Sequence, residues 1–160
     1  MNSASEATAL ISAYRAAHYG VRLRGGRRVS LHVGAACPRE LAEMLTGEQA
    51  NIGALITAWN PFSLPVPRRD NRRRQRELLD CLLTLNAHVL AGVGGGADWR
   101  EPALAAFGVP LGALDALARR FAQNAILTFS VAAPVRLRLY RADWRDAAGA
   151  DVDFAPSVSS

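Results

Sequence analysis

Four short polar segments hold the residue types that could do chemistry in this chain. Asn60 closes an apolar run, Asn71 and Arg74 stand at Asn-x-x-Arg spacing, Trp99 and Glu101 flank an arginine, and Gln123 adjoins Asn124. Arg74 offers a planar fork of donors that suits an anion. Trp99 offers a face for stacking. Each of the amides Asn60, Asn71, Gln123 and Asn124 carries both donors and an acceptor. Glu101, beside an indole, is the one evident acid or base. All of these residues fall near the ends of predicted elements, where polar groups from separate segments can converge. The expectation is one pocket built from Asn60, Asn71, Arg74, Trp99, Glu101, Gln123 and Asn124, with Glu101 catalytic. The competing expectation is a structural network of capping side chains with an Arg74–Glu101 ion pair.

Other candidates offer less. Residues 68–76 read Arg-Arg-Asp-Asn-Arg-Arg-Arg-Gln-Arg, which places six arginines and one aspartate in nine residues of a chain whose net charge is +5. Every basic residue is arginine, as arginine-rich coding would give. The cluster is expected at a helix N-terminus, where cations oppose the helix dipole and where phosphate binds. Gly92–Gly96 follows a strand, but neither a P-loop nor a dinucleotide pattern is met, so a flexible hairpin loop is expected. The two cysteines lie far apart; Cys81 reads as a small buried thiol, and both suit a reduced compartment. The three histidines are scattered without ligand spacing, so no metal is expected. No nucleophile elbow is present.

These residues need a scaffold. With 160 residues, 50% hydrophobic and 21% charged, the chain suits one globular domain rather than a disordered one. Neither a signal peptide nor a membrane-length apolar run is visible, and a cytoplasmic location is expected. An N-terminal helix opened by a Ser3–Glu6 capping box leads into a hairpin turning at Gly25-Gly26. A short helix carries Leu41, Met44 and Leu45. Residues 53–59 read as a buried strand and Asp70 or Asn71 as the cap of the next helix. Strands at 87–93 and 103–108 follow, then a helix opened by Pro110 and strands at 125–131 and 135–140. The last alternates apolar residues with Arg136, Arg138 and Tyr140, as a half-exposed edge would. The fold class is α+β, a single domain with a mixed, mostly antiparallel sheet and helices packed mainly on one face. Its core over 53–131 has the ferredoxin-like βαββαβ order, extended by the N-terminal helix and hairpin. The domain is expected to occupy 1–141, with 142–160 as a poorly ordered tail.

Four motifs occur in a fixed order: Ile56-Thr57-Ala58-Trp59-Asn60-Pro61-Phe62-Ser63, Asn71-x-x-Arg74, Trp99-Arg100-Glu101-Pro102 and Phe121-Ala122-Gln123-Asn124-Ala125. In this the chain resembles, over roughly residues 10–140, the bacterial domain-of-unknown-function family 3293. Two positions depart from the family pattern. Arg68-Arg69-Asp70 stands where acidic residues are frequent, and Ala103 stands where serine is usual. Of the clustered arginines only Arg74 falls on a family position, and the resemblance implies no reaction and no cofactor.

Three functions compete. The first is a binding module or enzyme for a small anionic ligand, such as a nucleotide or phosphorylated metabolite. The second is a nucleic-acid-binding module using Arg68–Arg76. The third is a protein-interaction module in which the polar network is purely structural.

Overall fold

The computed structural model describes residues 3–158. In chain order the elements are α1 (Ser3–Ala16), β1 (His18–Arg22), β2 (Arg28–Leu31), α2 (Arg39–Gly47), β3 (Gly53–Ile56), α3 (Arg68–Thr84), β4 (His88–Gly95), β5 (Arg100–Phe107), α4 (Leu111–Arg120), β6 (Ala125–Phe129), β7 (Arg136–Leu139) and β8 (Val152–Phe154). Short 3-10 turns at Pro61–Ser63 and Ala142–Ala147 complete the chain. The Ser3 side chain, expected to cap α1, lies outside the described residues, as do residues 159 and 160.

One curled eight-stranded sheet organises the molecule, in the order β2-β1-β4-β5-β3-β6-β7-β8. Its neighbours are antiparallel except β7 and β8, which run parallel. The domain is therefore mixed α+β with a mostly antiparallel sheet. Among the described residues no helix is long and apolar enough to cross a membrane.

The helices occupy both faces of the sheet, not mainly one as expected. Successive side chains of a strand point to opposite faces. In β3, Ala54 and Ile56 join a core with Leu78 and Leu82 of α3 and Leu114 and Leu117 of α4. Between them Leu55 joins the other core, with Ile11 of α1 and Leu41 and Leu45 of α2. A central strand buried on both faces requires cover on both. Each fully buried leucine of these helices contributes roughly 1.5–3 kcal/mol of transfer free energy.

Three local expectations change. First, α3 begins at Arg68 with Pro67 as its N-cap, so Asn71 is not a cap. Asn71, Arg74, Gln75, Leu78 and Leu82 recur at helical spacing and form one inward stripe. Arg69, Arg72, Arg73 and Arg76 point to solvent. Second, β7 is interior, between β6 and β8. Its Leu137 and Leu139 face α1 and α2, while Arg138 is buried against α4 in a bidentate pair with Asp115 (2.7 and 2.8 Å). Burial pushes the Asp115 carboxyl up, but hydrogen bonds from Arg138 and Tyr140 outweigh it and hold the group below its ordinary value. Third, the segment expected as a tail carries the Ala142–Ala147 turn, with Trp144 buried, and the edge strand β8. Cys37 and Cys81 are unpaired and half-buried; the Cys81 sulfur accepts a hydrogen bond from Arg120.

Candidate functional site

Strand β3 ends at Ile56, and its continuation runs in the left-handed backbone region at Asn60, Phe62 and Ser63 (φ 44°, 52° and 61°). Such conformations in residues other than glycine cost of order 1 kcal/mol or more each and persist only where surrounding bonds over-determine them. Here they do. Ala58 N–H donates to Gln75 Oε1 of α3 (2.9 Å), Phe62 N–H to the Ala122 carbonyl (2.6 Å), and Ser63 N–H to the Asn60 carbonyl (2.8 Å).

Asn60 sits at the centre of this loop. Its N–H donates to Asn71 Oδ1 and its Oδ1 accepts from Asn71 Nδ2, both at 2.8 Å. Those two bonds leave the Asn60 amide nitrogen to donate to Glu101 Oε1 at 2.8 Å. Asn71, only 2% exposed, thus orients Asn60, and Asn60 orients the carboxylate. Burial pushes the Glu101 carboxyl above its ordinary value, partly opposed by the Asn60 hydrogen bond. Glu101 Oε2 accepts no hydrogen bond among the described residues.

Arg74 takes a different part. Its Nε donates to the Ala58 carbonyl (2.9 Å) and an Nη to the Phe121 carbonyl (2.5 Å), and its guanidinium lies over the Phe121 ring. It ties the end of β3 to the end of α4. It neither pairs with Glu101 nor lines the cavity described next.

The glycine run 92–96 is not a flexible loop; β4 extends through Gly95, paired with β1 and β5. Its glycines make room for aromatic rings. A Cβ at Gly96 would lie 2.7 Å from Trp99 Nε1, and one at Gly94 would lie 3.1 Å from the Tyr19 ring. Trp99 is seated there, beside Glu101 at the start of β5.

Gln123 and Asn124 enter from the other side, between α4 and β6. Gln123 Nε2 donates to the carbonyls of Trp59 (3.0 Å) and Phe121 (3.2 Å). Asn124 Nδ2 donates to Tyr14 Oη (3.3 Å) and Ser63 Oγ (3.2 Å), which are themselves 2.6 Å apart. Asn124 is buried, and its Oδ1 has no donor among the described residues.

These groups border one cavity of about 320 Å³ on the sheet face that carries α1. Asn60, Trp99, Glu101, Gln123 and Asn124 line it together with apolar Leu10, Leu55, Leu127 and Leu137. Five of the seven expected residues are therefore brought together. Asn71 and Arg74 stand behind them as supports. Sequence reasoning missed Tyr14, Tyr19 and Ser63, which also line the cavity. Ser63 belonged to a motif already singled out. Tyr14 was indistinguishable from its helix's apolar stripe, because a tyrosine ring packs like any other and only its hydroxyl is polar. Among the described residues no basic side chain lines the cavity, and Glu101 is its only ionisable carboxyl.

No curated protein and no solved structure matches the chain. Residues 56–126 match the family model described as "Protein of unknown function (DUF3293)". The matched segment holds Asn60, Asn71, Arg74, Trp99, Glu101, Gln123 and Asn124, whereas Tyr14 and Tyr19 precede it. Over this segment, less than half of its length, the chain is similar to that family.

Proposed function

We propose that the cavity binds a small organic molecule that is uncharged or cationic, largely apolar, and a hydrogen-bond donor. The observation that carries this reading is the pair of acceptors left unengaged among the described residues, Glu101 Oε2 and Asn124 Oδ1, on one cavity that none of their basic side chains lines. Asn124 Oδ1, buried without a donor among the described residues, costs about 1–3 kcal/mol that a donating ligand recovers. An amine or amidine suits the carboxylate, and Trp99, Tyr14 and Tyr19 suit a cation or a planar ring. A nucleotide or phosphorylated metabolite is less well served, since Arg74 lies outside the cavity with its guanidinium bonded to the Ala58 and Phe121 carbonyls. Any proton transfer in the cavity falls to Glu101, whose raised pKa suits exchange nearer neutral pH.

The ferredoxin-like reading of the core belongs to the same proposal. The strand order β6-β3-β5-β4 with antiparallel neighbours supports it, and β1-β2 and β7-β8 then act as extensions on either side.

A thermal-shift comparison tests the ligand class. Phenethylamine, benzamidine and adenine are set against benzoate and AMP. The donors should raise the melting temperature by several degrees once well above their dissociation constants, and Glu101→Gln should abolish the response to the amines. Stabilisation by benzoate and AMP alone would overturn the reading.

A further inference from the structure

A second concavity, of about 480 Å³, lies on the opposite face of the sheet. It is lined by Arg22, Arg28, Arg68 and Arg100, with Trp59 and Val93 between them. The alternation of the strands puts the arginines there. Val21 and Val29 point into the core beneath α1 and α2, so Arg22 and Arg28 emerge on the other side. Glu101 faces the first cavity, so its neighbour Arg100 faces the second. α3 covers the centre of this face but not β1 and β2, and its first residue, Arg68, closes the groove.

None of these four arginines forms an ion pair or a side-chain hydrogen bond among the described residues, although eight other arginines do form ion pairs. Among the described residues no carboxylate lines the groove. Arg22 and Arg28 are direct cross-strand partners. Like charges placed opposite one another in an antiparallel pair are destabilising, so the arrangement works against the hairpin unless an anion sits over it.

We infer that this arginine-lined groove on the β1-β2-β4-β5 face binds the phosphate backbone of a single-stranded nucleic acid. From β2 to β5 the arginines cross three strand spacings, roughly 14 Å, which is wider than one phosphate and matches several along a strand. A positively charged track beside an aromatic ring is what sequence-tolerant single-strand binding uses, and Trp59 supplies the ring. The site is separate from the Glu101 cavity and does not rest on its ligand. It also differs from the solvent-facing arginines of α3: of residues 68–76, only Arg68 lines it.

The test is fluorescence anisotropy of the full chain with a labelled twelve-nucleotide oligouridylate at 50 and 200 mM salt. Binding should weaken steeply with salt. Arg22→Gln/Arg28→Gln/Arg100→Gln should weaken binding at least tenfold and make the log–log salt slope shallower by about 2, at roughly 0.7 per lost contact. Arg72→Gln/Arg73→Gln/Arg76→Gln should change affinity less than threefold. Should the groove triple variant not fold, Arg68→Gln/Arg100→Gln reads the same outcomes. The inference is overturned by absence of salt-dependent binding, by greater loss in the α3 variant, or by equal binding of polyglutamate. Displacement of the oligonucleotide by stoichiometric ATP also overturns it, in favour of a mononucleotide site.

Discussion

Asn60 and Asn71 hold each other through two hydrogen bonds of 2.8 Å, and the amide nitrogen that Asn60 has left over donates to Glu101. A buried amide on α3 thereby sets the direction of a carboxylate on β5, through a loop residue in the left-handed region. The link couples local strain, helix packing and the chemistry of the cavity.

Asn71→Ala should destabilise the fold by about 2–3 kcal/mol, because it removes the acceptor of the Asn60 N–H and leaves Asn60 Oδ1 only the longer bond from the Val66 N–H (3.3 Å). Asn71→Asp keeps an acceptor for the N–H and should lose less. Urea denaturation of the two variants gives the comparison, and equal losses would show that the reciprocal pair is not what holds the loop.

Glu101 has its carboxyl pKa raised by burial, so its ionised form is penalised in the folded state. A raised carboxyl favours the fold below the unfolded value, about 4.3, and that contribution disappears as pH rises through the folded value. Glu101→Gln should therefore melt higher than wild type at pH 7–8, with the gap closing below about pH 4. A variant melting lower at neutral pH would show that the carboxylate stabilises the fold.

Arg74→Ala should cost about 2–3 kcal/mol by withdrawing charged donors from the Ala58 and Phe121 carbonyls. Arg74→Lys should recover less than half, since an ammonium lacks the rigid fork that reaches two carbonyls at once. Where Arg74→Ala remains folded, its response to phenethylamine should survive. Loss of that response without loss of stability would make Arg74 a ligand residue.

Arg138→Met leaves Asp115 buried without its cation and should cost about 3–5 kcal/mol at pH 7. Arg138→Met/Asp115→Leu should regain most of the loss. The Asp115 carboxyl is held low, so its contribution exists above the unfolded value, about 3.9, and is lost as pH falls through the folded one. The cost of Asp115→Asn should accordingly shrink in acid, as thermal melts from pH 7 to pH 3 would record.

By itself the sequence determined the order of elements from α1 to β7, because helix and strand periods, prolines and glycine turns are local signals; β8, in the segment expected as a tail, carried no such signal. The apolar run at 53–56 already required a strand buried on both faces, although its consequence for the helices became visible only once the two cores formed around Ala54 and Leu55. The polar residues worth attention were also legible, since Asn60, Trp99, Glu101, Gln123 and Asn124 stand where predicted elements end. Tertiary structure decided what each one touches. An arginine is equally able to hold an anion, a carboxylate or a carbonyl, and the choice for Arg74 depends on the Phe121 carbonyl, 47 residues away. The pairing of Tyr14 with Ser63 joins residues 49 apart. The Arg22, Arg28, Arg68 and Arg100 groove exists only because separate elements meet across one sheet face. Hydrogen bonds and charges act over a few ångströms, and the chain alone does not state which distant groups will come within that range.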